Sequence, residues 1–100
     1  MLKICGIQMA CGEDKQKNLQ KAVRLAELAV EKGAKIIGFQ ELFNTHWFPK
    51  DIDQRNFSLA EPINGQSIQM MRKVAKEKSA VLICPFFEEG IEGVYYNTVA

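Results

Sequence analysis

Between Lys15 and Lys32 the apolar residues Leu19, Ala22, Val23, Ala26, Ala29 and Val30 recur at three- and four-residue steps. That stripe is the signature of an amphipathic helix. Lys17, Gln20, Lys21, Arg24, Glu27 and Glu31 fall mostly on the other side. Glu13 and Asp14 suit the helix start, and Gly33 is a stop signal at its end. Two apolar runs flank it, L-K-I-C-G-I-Q-M at 2–9 and K-I-I-G-F at 35–39. Strand, helix and strand in this order close into a parallel sheet with a right-handed crossover in nearly every case. The chain is therefore expected to be α/β. Apolar residues on both faces of 2–9 predict a mostly buried strand of a parallel sheet.

The remainder extends the same pattern. Residues 44–65 are irregular, punctuated by Pro49, Pro62 and Gly65, with one helical turn expected in D-I-D-Q-R-N-F. A long connection of this kind is more often a functional loop than a linker. A second helix is predicted over 66–78, with Ile68, Met71, Val74 and Ala75 facing inward and the Met70–Met71 pair filling the core. An apolar strand follows at 81–88, in which Pro85 marks an end or a bulge. The turn E-E-G-I-E-G joins it to a strand at 94–100, giving a hairpin. The apolar pattern is still running at Ala100, so residues 1–100 are expected to form an incomplete domain that needs a further segment or partner.

Composition narrows the function. Thirteen basic residues against 12 acidic ones leave a net charge of +1, too little for a basic field that would attract nucleic acid or a membrane surface. No apolar run approaches the length of a membrane span, and the N-terminus lacks the layout of a signal peptide. Cys5, Cys11 and Cys84 are odd in number and contain no C-x-x-C spacing. A disulfide framework is not expected, and a reducing cytoplasm is the natural compartment. His46 is the one histidine, so no metal-ligand cluster is expected. The sequence G-x-G-x-x-G is absent, and a nucleotide-binding α/β domain has only the β-α-β order in its favour.

One carboxylate stands out. Ligands of α/β sheets gather beyond the carboxyl ends of strands. The run Ile36-Ile37-Gly38-Phe39 ends in Gln40-Glu41, followed by Phe43, Trp47 and Phe48. Aromatic surroundings would desolvate Glu41, raise its pKa and suit it to proton transfer. Taken alone, Glu41 reads first as a carboxylate that caps the next turn. Phe43, Trp47 and Phe48 read as core packing. Cys5 and Cys84 lie in apolar strands and are expected to be inert. Cys11 lies near a helix N-terminus, which would lower its pKa, but no histidine in reach supports it as a nucleophile.

Read together, G-A-K-I-I-G-F-Q-E-L-F (33–43), V-Y-Y-N-T-V-A (94–100) and G-I-Q-M (6–9) make the chain resemble the N-terminal part of the nitrilase superfamily, the carbon–nitrogen hydrolases. Gln40 stands where many members have proline, as in the N-carbamoyl amide hydrolase branches, the N-carbamoylputrescine amidases and β-ureidopropionases. The resemblance implies part of a four-layer αββα sandwich and hydrolysis of a non-peptide C–N bond in a small amide or carbamoyl substrate. It implies a Glu–Lys–Cys triad whose Glu falls on Glu41, no cofactor, no metal, and a homo-oligomer. The lysine and cysteine positions of the family fall outside residues 1–100; Lys50, Lys73, Cys11 and Cys84 do not occupy them. Phe43, Trp47 and Phe48 would help wall the substrate pocket, and Asn97 would support local backbone or orient the site without being catalytic. A chain of these residues alone would be inactive and would expose an apolar sheet face. The rival reading is a non-catalytic split half that binds a partner chain.

Overall fold

A computed structural model describes residues 1–100. Five strands and two helices follow one another: β1 (Ile4–Ile7), α1 (Lys15–Glu31), β2 (Ile36–Phe39), α2 (Gln66–Lys78), β3 (Val81–Ile83), β4 (Pro85–Glu89) and β5 (Tyr95–Val99). Strands β1, β2 and β3 form a three-stranded parallel sheet in that order. Strands β4 and β5 form a separate antiparallel pair with Phe87 opposite Asn97.

Both helices begin and end for local reasons. Asp14 caps α1, its carboxylate accepting from the amides of Gln16 and Lys17 at 2.9 and 3.2 Å. Gly33 at φ 95° turns the chain out of the helix, a conformation glycine takes without a Cβ clash. Helix α2 has Gly65 at its N-cap, with no side chain to cap it, and ends at Ser79 in the left-handed region.

The helices cover one face of the parallel sheet. Leu19, Ala22, Ala26 and Ala29 of α1 and Ile68, Met71 and Val74 of α2 close over Ile37 and Phe39 of β2. Each large side chain enclosed in this way contributes about 1.5–3 kcal/mol. Most of the predicted inward residues are thus buried, while Val23, Val30, Met70 and Ala75 are only half-buried at the margin of the core.

The other face is bare. Ile4, Val81 and Ile83 are 70, 55 and 40 % exposed, and Gly6 and Gly38 lie side by side in register between them. This corrects the expectation for 2–9. The strand covers only four residues, lies at the sheet edge, and is buried on one side, because only one helical layer backs the sheet.

The predicted strand 81–88 is two strands. Residues 81–83 pair in parallel with β2, then the chain turns at Cys84 and residues 85–89 pair with β5. Proline explains the break, since Pro85 has no amide to donate into a continued ladder. Its carbonyl instead accepts from the Phe43 amide at 2.9 Å. The expected helical turn is a 3-10 helix at Gln54–Leu59.

Candidate active site

Strand β2 delivers the chain to Gln40 and Glu41 at its carboxyl end. Gln40 fastens the site to the end of β1. Its side-chain oxygen accepts from the Met9 amide, and its side-chain nitrogen donates to the Met9 and Phe43 carbonyls, all at 3.3 Å. A proline side chain has no donor or acceptor with which to make these bonds.

Leu42 has φ 51°, a left-handed conformation that costs a residue with a Cβ about 1–2 kcal/mol. Strain of this kind survives only where the surroundings fix it. Here the amide and hydroxyl of Thr45 both donate to the Leu42 carbonyl, at 3.2 and 3.4 Å, and Leu42 itself is buried. The kink ends the strand sharply. Glu41 is exposed at this point, at the mouth of a cleft of about 270 Å³ that Met9, Cys11, Gln40, Thr45 and Trp47 also line.

The amide nitrogen of Asn97, from β5, donates to Glu41 Oε1 at 2.6 Å across 56 residues of chain. A charge-assisted bond of that length fixes the carboxylate's direction. Of the two tasks expected of Asn97, backbone support or orientation of the site, the contact to Glu41 fits the second. Glu88 does not join them. It accepts from the Thr98 hydroxyl at 2.7 Å, and strand alternation puts that pair on the opposite face of the hairpin from Asn97. Glu89 accepts from the Gly93 amide in the turn.

The three aromatic candidates are separated. Phe43 is fully enclosed in the core, its ring 5.3 Å from that of Phe39. Trp47 is 51 % exposed and lines the cleft with Glu41. Phe48 turns the other way, 5.0 Å from the Phe87 ring, and lines a second cleft with Phe57. The aromatic enclosure expected round Glu41 is therefore absent, because its neighbours in sequence point in three directions. His46 meets Phe48 edge-on at 6.4 Å, and its Nδ1 is buried without a hydrogen-bond partner.

Neither Cys11 nor Cys84 offers an activated thiol. Burial pushes the Cys11 thiol up, against the opposing effects of Lys21 and Gln40. The helix-terminus expectation fails because Asp14 already occupies the first amides of α1, while the Cys11 thiol donates to the Phe43 carbonyl at 3.1 Å. Burial raises Cys84 further, to about 12. Cys5 lies half-buried on the edge strand. No three His, Cys, Asp or Glu side chains converge on a common point. No helix is long and apolar enough to cross a membrane.

One cluster was hidden from the sequence. Glu61 Oε2 accepts from Lys15 Nζ at 2.7 Å, the Ser67 hydroxyl at 2.6 Å and the Asn44 amide nitrogen at 3.2 Å. Its Oε1 accepts from the Ser67 amide at 2.9 Å, which caps α2 where Gly65 cannot. Burial alone would push the Glu61 carboxyl up; the hydrogen bonds from Lys15 and Ser67, with the Lys15 charge, leave it below its ordinary value. The available sequence signal was an acidic residue just ahead of a helix that starts at glycine.

The site thus joins a one-sided α/β sheet, a strained turn at the end of its central strand, and a carboxylate held by an asparagine from a second strand pair. Residues 3–100 match the carbon–nitrogen hydrolase family, and the chain belongs to it.

Among its relatives, the N-carbamoylputrescine amidase of Solanum lycopersicum is 37 % identical over 101 residues, covering 100 % of this chain and 33 % of that protein. An omega-amidase of Xenopus laevis is 36 % identical over 98 residues, covering 94 % and 33 %. The carbon–nitrogen hydrolase from Helicobacter pylori superposes with a TM-score of 0.86 at 24 % identity, over 94 % of this chain and 32 % of its own. Nit3 of Saccharomyces cerevisiae, a member of the nitrilase superfamily, superposes with a TM-score of 0.71 at 22 % identity, over 90 % and 35 %. The fold is that of nitrilase-superfamily structures, and the chain spans about a third of the length of the curated relatives it matches.

Proposed function

We propose that this chain supplies the general base of a hydrolase that cleaves N-carbamoyl amines or acids to the free amine, ammonia and carbon dioxide. The observation that carries the proposal is Glu41: it follows the central strand, sits beside a strained turn, opens onto a cleft and is aimed by Asn97. Gln40 and the 37 % identity to an N-carbamoylputrescine amidase favour a carbamoyl substrate. The omega-amidase relative at 36 % supports a second reading, an omega-amide substrate.

Glu41 takes the proton of a cysteine thiol that segments beyond residues 1–100 supply, and the thiolate attacks the carbamoyl carbon. A lysine from those same segments holds the oxyanion. Ammonia leaves with the proton from Glu41. Glu41 then deprotonates water, which cleaves the thiocarbamate and returns the proton to the thiol; the carbamic acid released loses carbon dioxide. Trp47 walls the cleft, while Phe43 supports the turn from behind.

The test is ammonia release by the complete protein from carbamoyl and omega-amide substrates, with and without Glu41→Gln. Loss of one member of a cooperating triad lowers turnover by about 10⁴-fold or more. A Glu41→Gln protein that turns over at a near wild-type rate refutes the role of Glu41. Preference for omega-amides refutes the substrate class alone.

A further inference from the structure

We propose that Glu61 is a positioning residue for Glu41; this rests on the reading of Glu41 as the base. Both attachments of Glu41 lead back to Glu61. Through its side chain, Glu61 holds Asn44, which is 2 % exposed and also donates to the Ser67 hydroxyl at 2.7 Å. The Asn44 carbonyl accepts from Asn18 at 3.1 Å, so the residue is gripped at both its side chain and its backbone. Asn44 belongs to the strained turn 42–45, whose first residue directly follows Glu41. Through its backbone, Glu61 joins the edge of β4: its amide donates to the Phe87 carbonyl at 3.0 Å, and the Glu89 amide donates to its carbonyl at 2.9 Å. Phe87 lies opposite Asn97, the residue that holds the Glu41 carboxylate.

Stability alone is a poor explanation for such a hub. The Lys15 and Glu61 side chains are only 24 and 14 % exposed, and placing a pair of charges out of water costs about as much as their attraction returns. What the hub achieves is registry. It ties the start of α1, the start of α2, the turn after Glu41 and the strand pair carrying Asn97 to one carboxylate. A displacement of about 1 Å at a catalytic group lowers turnover about a hundredfold, so loosening this hub reaches the chemistry without touching substrate.

The experiment compares Glu61→Gln, Asn44→Ala and Val74→Ala in the complete protein. Glu61→Gln replaces one accepting oxygen by a donor, which then faces either the three donors at Oε2 or the Ser67 amide at Oε1. Asn44→Ala cuts the link to the turn and leaves Lys15, Glu61 and Ser67 paired, so it carries the test where Glu61→Gln does not fold. Val74→Ala weakens the core of α2 away from the turn.

Two readings are taken on folded protein: kcat and KM, and hydrogen exchange at the Phe43 and Thr45 amides. The expected result is a fall in kcat of about tenfold to a hundredfold with KM within about threefold, and faster exchange at Phe43 and Thr45, in the first two variants only. Wild-type kcat in Asn44→Ala or in folded Glu61→Gln, or an equal loss in Val74→Ala, overturns the proposal. So does unchanged exchange at the turn. Failure of the function proposed for Glu41 is seen separately, as a wild-type protein that releases no ammonia.

Discussion

Phe43 and Trp47 stand four residues apart in one aromatic run, and their exposures assign them opposite tasks. Phe43 is completely enclosed and packs on Phe39, whereas Trp47 is half-exposed in the Glu41 cleft. Truncating an enclosed phenylalanine to alanine costs about 3–5 kcal/mol, the sum of lost transfer energy and a residual cavity. A half-exposed tryptophan that relaxes into solvent costs about 1 kcal/mol on truncation. Against a domain stability of about 5–15 kcal/mol, the first loss is severe and the second is minor. The assay is urea unfolding of the complete protein followed by circular dichroism. With a slope of about 2 kcal/mol per molar, Phe43→Ala moves the midpoint down by about 1.5–2.5 M and Trp47→Ala by about 0.5 M. Phe43→Leu, which refills most of the cavity, recovers more than half of the loss. Kinetics run the other way: Trp47→Ala raises KM, and Phe43→Ala at temperatures where it stays folded does not. Equal midpoint shifts for the two alanine variants would refute the division of labour. A Phe43→Ala protein with wild-type stability and a raised KM would show that Phe43 walls the pocket after all.

Three further outcomes follow from single groups. Ser79 holds φ 51° at the end of α2, so Ser79→Gly removes left-handed strain and raises stability by about 0.5–1 kcal/mol, read as a higher urea midpoint. The Cys84 thiol, raised from the ordinary 9.0 to about 12, carries about a thousandfold less thiolate at pH 8, so a disulfide reagent modifies it only after denaturant is added; modification at the rate of a free thiol counts against its burial. The Glu61 carboxyl lies lower in the folded protein than in the unfolded chain, whose value is near 4.5. Its contribution to stability is complete above pH 4.5 and is lost as pH falls through the folded pKa, so acid unfolding curves of Glu61→Gln show a weaker pH dependence there than wild type. Parallel curves would contradict the hub.

How far the chain was legible depends on whether a signal is periodic or spatial. Helix α1 and the pairing of β1 with β2 follow from an apolar stripe and two apolar runs, and the structure agrees within a residue or two for α1 and β2. The strand break at Cys84–Pro85 was half-legible: proline announced an interruption, but nothing local said that the next residues would join a different sheet. The place of Glu41 just after a strand was legible from the apolar run that precedes it. Its enclosure was not, because the directions of Phe43, Trp47 and Phe48 depend on the left-handed turn at Leu42, and leucine gives no hint of that conformation. Asn18, Asn44, Glu61 and Ser67 were illegible for a different reason. Each is an ordinary polar residue of a loop or helix start, and only the fold brings residues 18, 44, 61 and 67 to one point.

The long connection between the site turn and α2 has a consequence for how such a protein diversifies. Its two ends, Asn44 and Glu61, are 17 residues apart in sequence and meet at 3.2 Å. The stretch between them, with Lys50, Ile52, Arg55 and Ser58 exposed, is a closed loop hung from a fixed clasp. Doubling the length of such a loop costs only about 0.6 kcal/mol in closure entropy. Insertions and substitutions there can reshape the surface of the loop while the clasp keeps the turn after Glu41 where it is. Variation in the loop is thereby uncoupled from the geometry of the turn it hangs from.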